Sequence, residues 1–335
     1  MKIFSQMGLI CALVLSGCHD RNSKSINDIS SSKCSVELVV LGIGQDAGAP
    51  QIGNPDDPAW KDPNKRLYAT SLGLLDHENG KRYLFEATPD IREQMQIMDG
   101  LLPYDGEGPY IDGIFLTHAH IGHYAGLMFL GRESMGAQGV PVYAMPRMKI
   151  YLETNGPWSQ LVELGNIKLQ PVYPEDADSI TFDNTFAVMA ETVPHRDEYS
   201  ETAAYSLIGP DKTAYFVPDI DQWELPPSSF TSRIDDYFPY KLEQYDYAFL
   251  DATFFDDNEL PGRDMSQIPH PRVTVSMNFI EFSDDEDIKE KVRFIHINHT
   301  NPLRDQNSDA YRDMTKRGFS LAQRGERFCL SAPEE

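Results

Sequence analysis

Thr117-His118-Ala119-His120-Ile121-Gly122-His123-Tyr124 holds three of the chain's nine histidines. It closes an apolar run, Ile111 to Thr117, that reads as a β-strand. At a strand end, side chains two apart point to the same side, and one three residues further on can fold back at the start of a helix. Three imidazoles placed in this way can converge on a single cation. A solvated loop has no need of histidine at such density, so His118, His120 and His123 are read as metal ligands.

N-terminal to this segment, Ser35 to Leu41 is a β-rich run that stops at Gly42 and opens a loop, Gly44 to Lys65, dense in Gly, Pro, Asp and Asn. Gln45 and Asp46 on that loop are read as turn formers, with substrate contact as their other use. Strands are predicted at Leu67 to Asp76 and Lys81 to Ala87, joined by the turn His77-Glu78-Asn79-Gly80. Thr88-Pro89-Asp90 predicts a helix start, with a capping hydroxyl and an early proline, for a helix running to about Met98. C-terminal to the histidines, strands are predicted at Val140 to Ala144, Ile167 to Val172, Phe186 to Val193, Ala203 to Ile208, Thr213 to Val217, Tyr247 to Leu250 and Arg293 to Ile297. Helices fall after His123, around Arg147 to Glu153 and around Val273 to Ile280, and Gly318 to Leu330 is predicted to form a closing hairpin turning at Gly325. Strands interleaved with helices, without a repeat or a clear linker, predict one α/β domain of layered sheets over 36–335. Within its strand His296 points opposite to its neighbours and is given a core or supporting role. His77 and His19 fall in a turn and in the N-terminal tether.

Residues 1–17 stand apart from that domain. Lys2 precedes an apolar run, Ile3 to Leu15, that is too short to span a bilayer comfortably. Leu15-Ser16-Gly17-Cys18 resembles the bacterial lipoprotein signal, which implies cleavage before Cys18, lipidation of that cysteine and a place on the periplasmic or extracellular face of the cell envelope. The alternative is an ordinary secretory leader. Residues 18–35 then form a Ser-, Asn- and Asp-rich tether, and the lipid is the sole contact with the membrane. Setting aside Cys11 and Cys18 leaves Cys34 and Cys329 at opposite ends of the domain. An oxidising compartment permits a bridge between them, with two unpaired thiols as the alternative. A formal net charge of -23 disfavours nucleic acid and anionic headgroups as partners, since both attract basic surfaces. A small-molecule substrate is expected instead.

The histidine segment resembles the signature of the metallo-β-lactamase superfamily, His-x-His-x-Asp-His after a strand, with Gly122 where that signature has aspartate. The resemblance implies an αββα sandwich of two mixed sheets flanked by helices. It also implies further ligands: His195 in Val193-Pro194-His195, Asp219 in Val217-Pro218-Asp219 as the bridging carboxylate, and His299 in Asn298-His299-Thr300-Asn301. Leu41 to Gln51, Glu86 to Arg92, Leu250 to Phe254 and Ile295 to Pro302 are similar to the corresponding segments of the pyrroloquinoline quinone biosynthesis protein B family, so the likeness runs from about residue 36 to 305. A lipid-anchored context departs from that family.

Carried over, the resemblance gives a first metal held by His118, His120, His195 and Asp219. A second would draw on Asp219, His123 and His299, but with no carboxylate at Gly122 it would be weaker. The donor set suits zinc, one ion tight and one weak, with iron or manganese as alternatives. Asp251 and His270 resemble the acid-plus-histidine pair of phosphodiesterase branches, in which the acid orients the histidine to protonate a leaving alkoxide. The plainer account is a loop-capping Asp251 and a surface His270. The expected activity is a metallohydrolase acting on a small ester, lactone or phosphodiester, with Asp219, Asp251 and His270 as catalytic residues. Two other readings stand beside it: metal-dependent oxidation or hydroxylation of a tyrosine-derived or peptide precursor, and a non-catalytic metal- or ligand-binding lipoprotein. Antibiotic hydrolysis does not follow from a fold alone.

Overall fold

A computed structural model describes residues 34–174, 179–223, 237–283 and 285–332. The leader, Cys18 and the tether up to residue 33 lie outside the described residues. The strands are β1 (Val36–Gly42), β2 (Ser71–Asp76), β3 (Lys81–Phe85), β4 (Gly113–Phe115), β5 (Val140–Ala144), β6 (Ile167–Pro171), β7 (Ile180–Phe182), β8 (Phe186–Val193), β9 (Thr202–Ile208), β10 (Thr213–Val217), β11 (Tyr247–Asp251), β12 (Val292–Ile295), β13 (Ser320–Leu321) and β14 (Arg327–Cys329). They form two seven-stranded sheets, ordered β14-β1-β2-β3-β4-β5-β6 and β13-β12-β11-β10-β9-β8-β7. Both are mixed. In the first, β14 to β3 pair antiparallel and β3 to β6 parallel; in the second, β7 to β10 pair antiparallel and β10 to β13 parallel.

The first sheet is buried on both faces, which explains the unbroken apolar runs of its strands. On β1, Val36, Leu38 and Val40 enter the core shared with the second sheet, while Val39 and Leu41 face the opposite way. That outer face is covered by α1 (Ile91–Leu101), the short α2 (Ile121–Tyr124), α3 (Pro146–Thr154) and α4 (Trp158–Glu163), through Met95, Met98, Tyr124, Met148, Leu152 and Leu161. Between the sheets Phe85 stacks on Phe115 at 4.7 Å and meets Tyr205 and Phe216 edge-on. The second sheet packs with α5 (Tyr237–Glu243), α6 (Val273–Ile280), α7 (Ile288–Lys291) and α8 (Asp309–Lys316), through Leu242, Val273, Met277, Ile288 and Met314. The architecture is therefore the αββα sandwich expected, with the turn at 77–80 joining β2 to β3 as the sequence predicts.

The C-terminal segment departs from expectation. Gly325 does turn the chain, with φ +89, but the flanking strands do not pair with each other. β13 joins β12 in parallel in the second sheet, and β14 joins β1 antiparallel in the first. A crossing between sheets replaces the predicted hairpin, because each strand gains more by completing an edge than by pairing with its short neighbour. β14 also carries Cys329, disulfide-bonded to Cys34 with the Cα atoms 5.7 Å apart. Converting both cysteines to serine is expected to lower the unfolding free energy by about 2–4 kcal/mol. A denaturant midpoint unchanged under non-oxidising and oxidising conditions alike would contradict this.

β1, β3 and β4 run in one direction in the first sheet, as do β8, β10, β11 and β12 in the second. Their carboxyl ends gather at one edge of the sandwich, the place where mixed and parallel sheets collect functional side chains.

Candidate metal centre

Four side chains leave those strand ends for one point. His118 follows β4, His120 lies at the N-terminus of α2, His195 follows β8 and Asp219 follows β10. His120 Nδ1 lies 2.7 Å from His118 Nε2 and 3.1 Å from His195 Nε2. Asp219 Oδ2 lies 3.4 Å from His118 Nε2, 3.3 Å from His195 Nε2 and 4.0 Å from His120 Nδ1. Donors arranged tetrahedrally at about 2.0–2.1 Å from a zinc-sized ion stand roughly 3.4 Å apart, so the spacing fits such an ion. The far side of each ring is anchored as well. His118 Nδ1 meets Thr117 Oγ1 at 2.8 Å, His195 Nδ1 meets Asp221 Oδ1 at 2.8 Å, and His120 Nε2 lies 3.3 Å from Glu198 Oε2. Such outer contacts fix ring orientation and leave the inward nitrogen as the donor.

A second group shares Asp219. His123 Nε2 lies 3.6 Å from Asp219 Oδ2 and 3.8 Å from Asp46 Oδ1, and His296 Nε2 lies 3.9 Å from Asp219 Oδ2. His123 Nε2 and His296 Nε2 are buried with no hydrogen-bond partner, which is costly unless a cation completes them. His299 joins neither group of converging donors among the described residues. The sequence reading places His299 at a second site and His296 in a supporting role; in the structure it is His296, not His299, that lies among the converging donors. β12 ends at Ile295, and His296 takes φ +66, which swings its ring off the strand alternation and into the centre. His299 instead sits by the Asp57–Arg304 ion pair, its carbonyl accepting from Arg304. Asp46 Oδ1 stands beside His123, so a carboxylate lies near the place where Gly122 leaves none.

Asp251, at the end of β11, and His270 also reach the centre. His270 Nδ1 lies 2.8 Å from Asp251 Oδ2 and 3.3 Å from Asp219 Oδ1. Asp251 is fully buried; its carboxylate also accepts from the Ile220 and Thr253 amides and from Thr253 Oγ1. Thr253 Oγ1 in turn lies 2.9 Å from His296 Nδ1. His270 is no surface residue. It lines an open cleft with Pro194, Asp221, Gln222 and Arg272.

Electrostatics divide the rings. Burial holds His118 well below the ordinary imidazole value, helped by neighbouring His123 and opposed by Asp219, and burial lowers His296 against the pull of Asp219 and Asp251. Both are therefore neutral, the form that donates to a cation. Burial also works against charge on His123, yet Glu86, Asp219 and Asp46 together raise it to about 9. His270 is likewise raised to about 9, burial being outweighed by Asp251 and Asp219. Burial pulls the Asp219 carboxyl up, but His296, His270 and His195 hold it well below its usual range.

Glu86, Asp221 and Thr253 carry no role in the sequence reading, which takes Asp46 as a turn former or substrate contact and His296 as a supporting residue. Glu86 is fully buried at the end of β3, with Oε1 3.4 Å from His123 Nδ1 and the backbone at φ +75. A charged residue closing an apolar strand and preceding a helix start was the signal that could have found it. Asp46, Glu86 and His296 all have left-handed φ, a strained conformation that concentrates at functional sites.

A sequence model of the beta-lactamase superfamily domain matches residues 81–316, and the chain belongs to that superfamily. Within it, the chain is similar to the coenzyme PQQ synthesis protein B of Methylococcus capsulatus, 26% identical over 313 residues that span 85% of this chain and 97% of that protein. The crystal structure of Zn(2+)-bound PqqB from Methylobacterium extorquens superposes with a TM-score of 0.70 at 19% identity, covering 87% of this chain and 99% of that one. A diphosphatase of the PhnP family superposes with a TM-score of 0.57 at 22% identity, covering 88% of this chain and 96% of that one.

Proposed function

We propose that the protein is a metal-dependent hydrolase of a small ester, lactone or phosphodiester, with zinc at His118, His120, His195 and Asp219. The observation that carries this reading is the buried Asp251–His270 pair against Asp219, beside four donors at metal-site spacing. A bound divalent cation supplies an acidified water and polarises the scissile carbonyl or phosphoryl oxygen. Asp219 fixes the imidazoles around it and, through Oδ1, draws His270 toward the same point. Asp251 accepts from Nδ1 of His270, holding that ring in one orientation with the other nitrogen as a proton donor to a departing alkoxide. Asp221 orients His195. The acidic chain favours a small substrate at the cell envelope, reached from the cleft beside His270, over a polyanion.

The likeness to coenzyme PQQ synthesis protein B favours a second reading, metal-dependent oxidation or hydroxylation of a tyrosine-derived or peptide precursor. Chromogenic esters, lactones, phosphodiesters and a cephalosporin, assayed with zinc, iron and manganese, separate the two. Metal-dependent hydrolysis without oxygen uptake is expected. Turnover only with iron and oxygen would favour the second reading, and inertness with all three metals would leave a binding protein.

A further inference from the structure

We propose that Asp46 is the carboxylate ligand of a second cation, delivered from the β1–β2 loop into the space that an aspartate at position 122 would fill. This rests on the metal-centre reading and adds to it a ligand the superfamily signature does not contain. The donors are Asp46 Oδ1, His123 Nε2 and His296 Nε2, and Asp219 Oδ2 lies 3.6 Å from His123 Nε2 and 3.9 Å from His296 Nε2. Their closest separations, 3.6 to 3.9 Å, are slightly wider than in the first group.

Gly122 makes the case specific. Its φ is not left-handed, so no backbone requirement selects glycine there. A Cβ at this position would lie 2.4 Å from Asp46 Cα, 2.6 Å from Asp46 Oδ1 and 2.8 Å from Asp46 Cβ. Any side chain at 122 therefore excludes Asp46 from its place. The two positions are alternative sources for one carboxylate, and this chain has glycine at the first and aspartate at the second.

The loop is built to hold that carboxylate. Gly44 bridges to Ala69 on one side and Ile297 on the other, and the Gln45 amide donates to the Ile297 carbonyl at 2.9 Å. Asn298 Nδ2 donates to Gln45 Oε1 at 2.7 Å, and the Gly48 amide donates to the Gln45 carbonyl at 2.8 Å. Asp46, at φ +42, thus follows two residues tied to the segment that carries His296. On the opposite face of His123, Glu86 lies beside Nδ1 and leaves Nε2 directed at Asp46 and Asp219.

The test counts metal in the full chain. Metal-stripped protein is titrated calorimetrically with zinc chloride, and bound zinc is then measured by plasma mass spectrometry after dialysis, with circular dichroism checking the fold of every variant. The wild type is expected to hold two zinc ions per chain. Asp46→Asn, nearly isosteric, should retain the first and weaken the second at least ~10-fold. Gly122→Ala should do the same by displacing Asp46, and the double variant Asp46→Gly/Gly122→Asp should recover the second ion. Unchanged affinity for two ions in Asp46→Asn would overturn the proposal, as would a wild type that binds only one. A wild type that binds none would overturn the metal-centre reading along with it.

Discussion

Asp219→Asn is expected to abolish both zinc binding and turnover. Its Oδ2 lies within 4.0 Å of ring nitrogens of His118, His120, His123, His195 and His296, so both donor groups close on this one oxygen. An amide removes the negative charge that offsets the cation and offers a weaker oxygen donor, leaving the neutral imidazoles to hold the ion without an anionic ligand. The rate is expected to fall by about three orders of magnitude or more, equivalent to roughly 4 kcal/mol of lost transition-state stabilisation. Zinc content measured on the same preparation decides the cause. A variant that keeps full zinc and full activity would remove Asp219 from both roles.

His270→Ala is expected to separate chemistry from metal binding. His270 is outside the four-donor group, so zinc content should be unchanged, while loss of a positioned proton donor lowers kcat by about 10²- to 10⁴-fold. The loss should be largest for substrates with poor leaving groups and smallest for nitrophenolates, which depart without a proton. Asp251→Asn should reproduce that leaving-group dependence more mildly, because it disturbs the ring's orientation without removing the ring. Equal kcat in wild type and His270→Ala across the whole series would exclude the residue from proton transfer.

The parts of the centre that the sequence made legible are those fixed by local geometry or a short motif. His118, His120 and His123 were visible because a strand end followed by a helix sets their directions within six residues. His195 and Asp219 were accessible through resemblance, each two residues beyond the end of an apolar strand. His296 was read as a supporting residue because strand alternation assumes ordinary backbone, and one left-handed residue after β12 reverses the direction of the ring. Asp46 was unreadable for a different reason. Its partner Gly122 is distant in the sequence, and a missing side chain looks like a lost ligand until the fold shows what fills its volume. The same distinction governs the C-terminus: the turn at Gly325 is local and legible, but the partners of β13 and β14 are set by which sheet edges stand open.

The Cys34–Cys329 bond spans 295 positions and encloses every strand of the sandwich except the terminal residue of β14 itself. A single proteolytic nick in any surface loop between them would consequently yield fragments that stay covalently joined. The cut protein would migrate as one species until a reductant is added, and its halves could not drift apart while refolding.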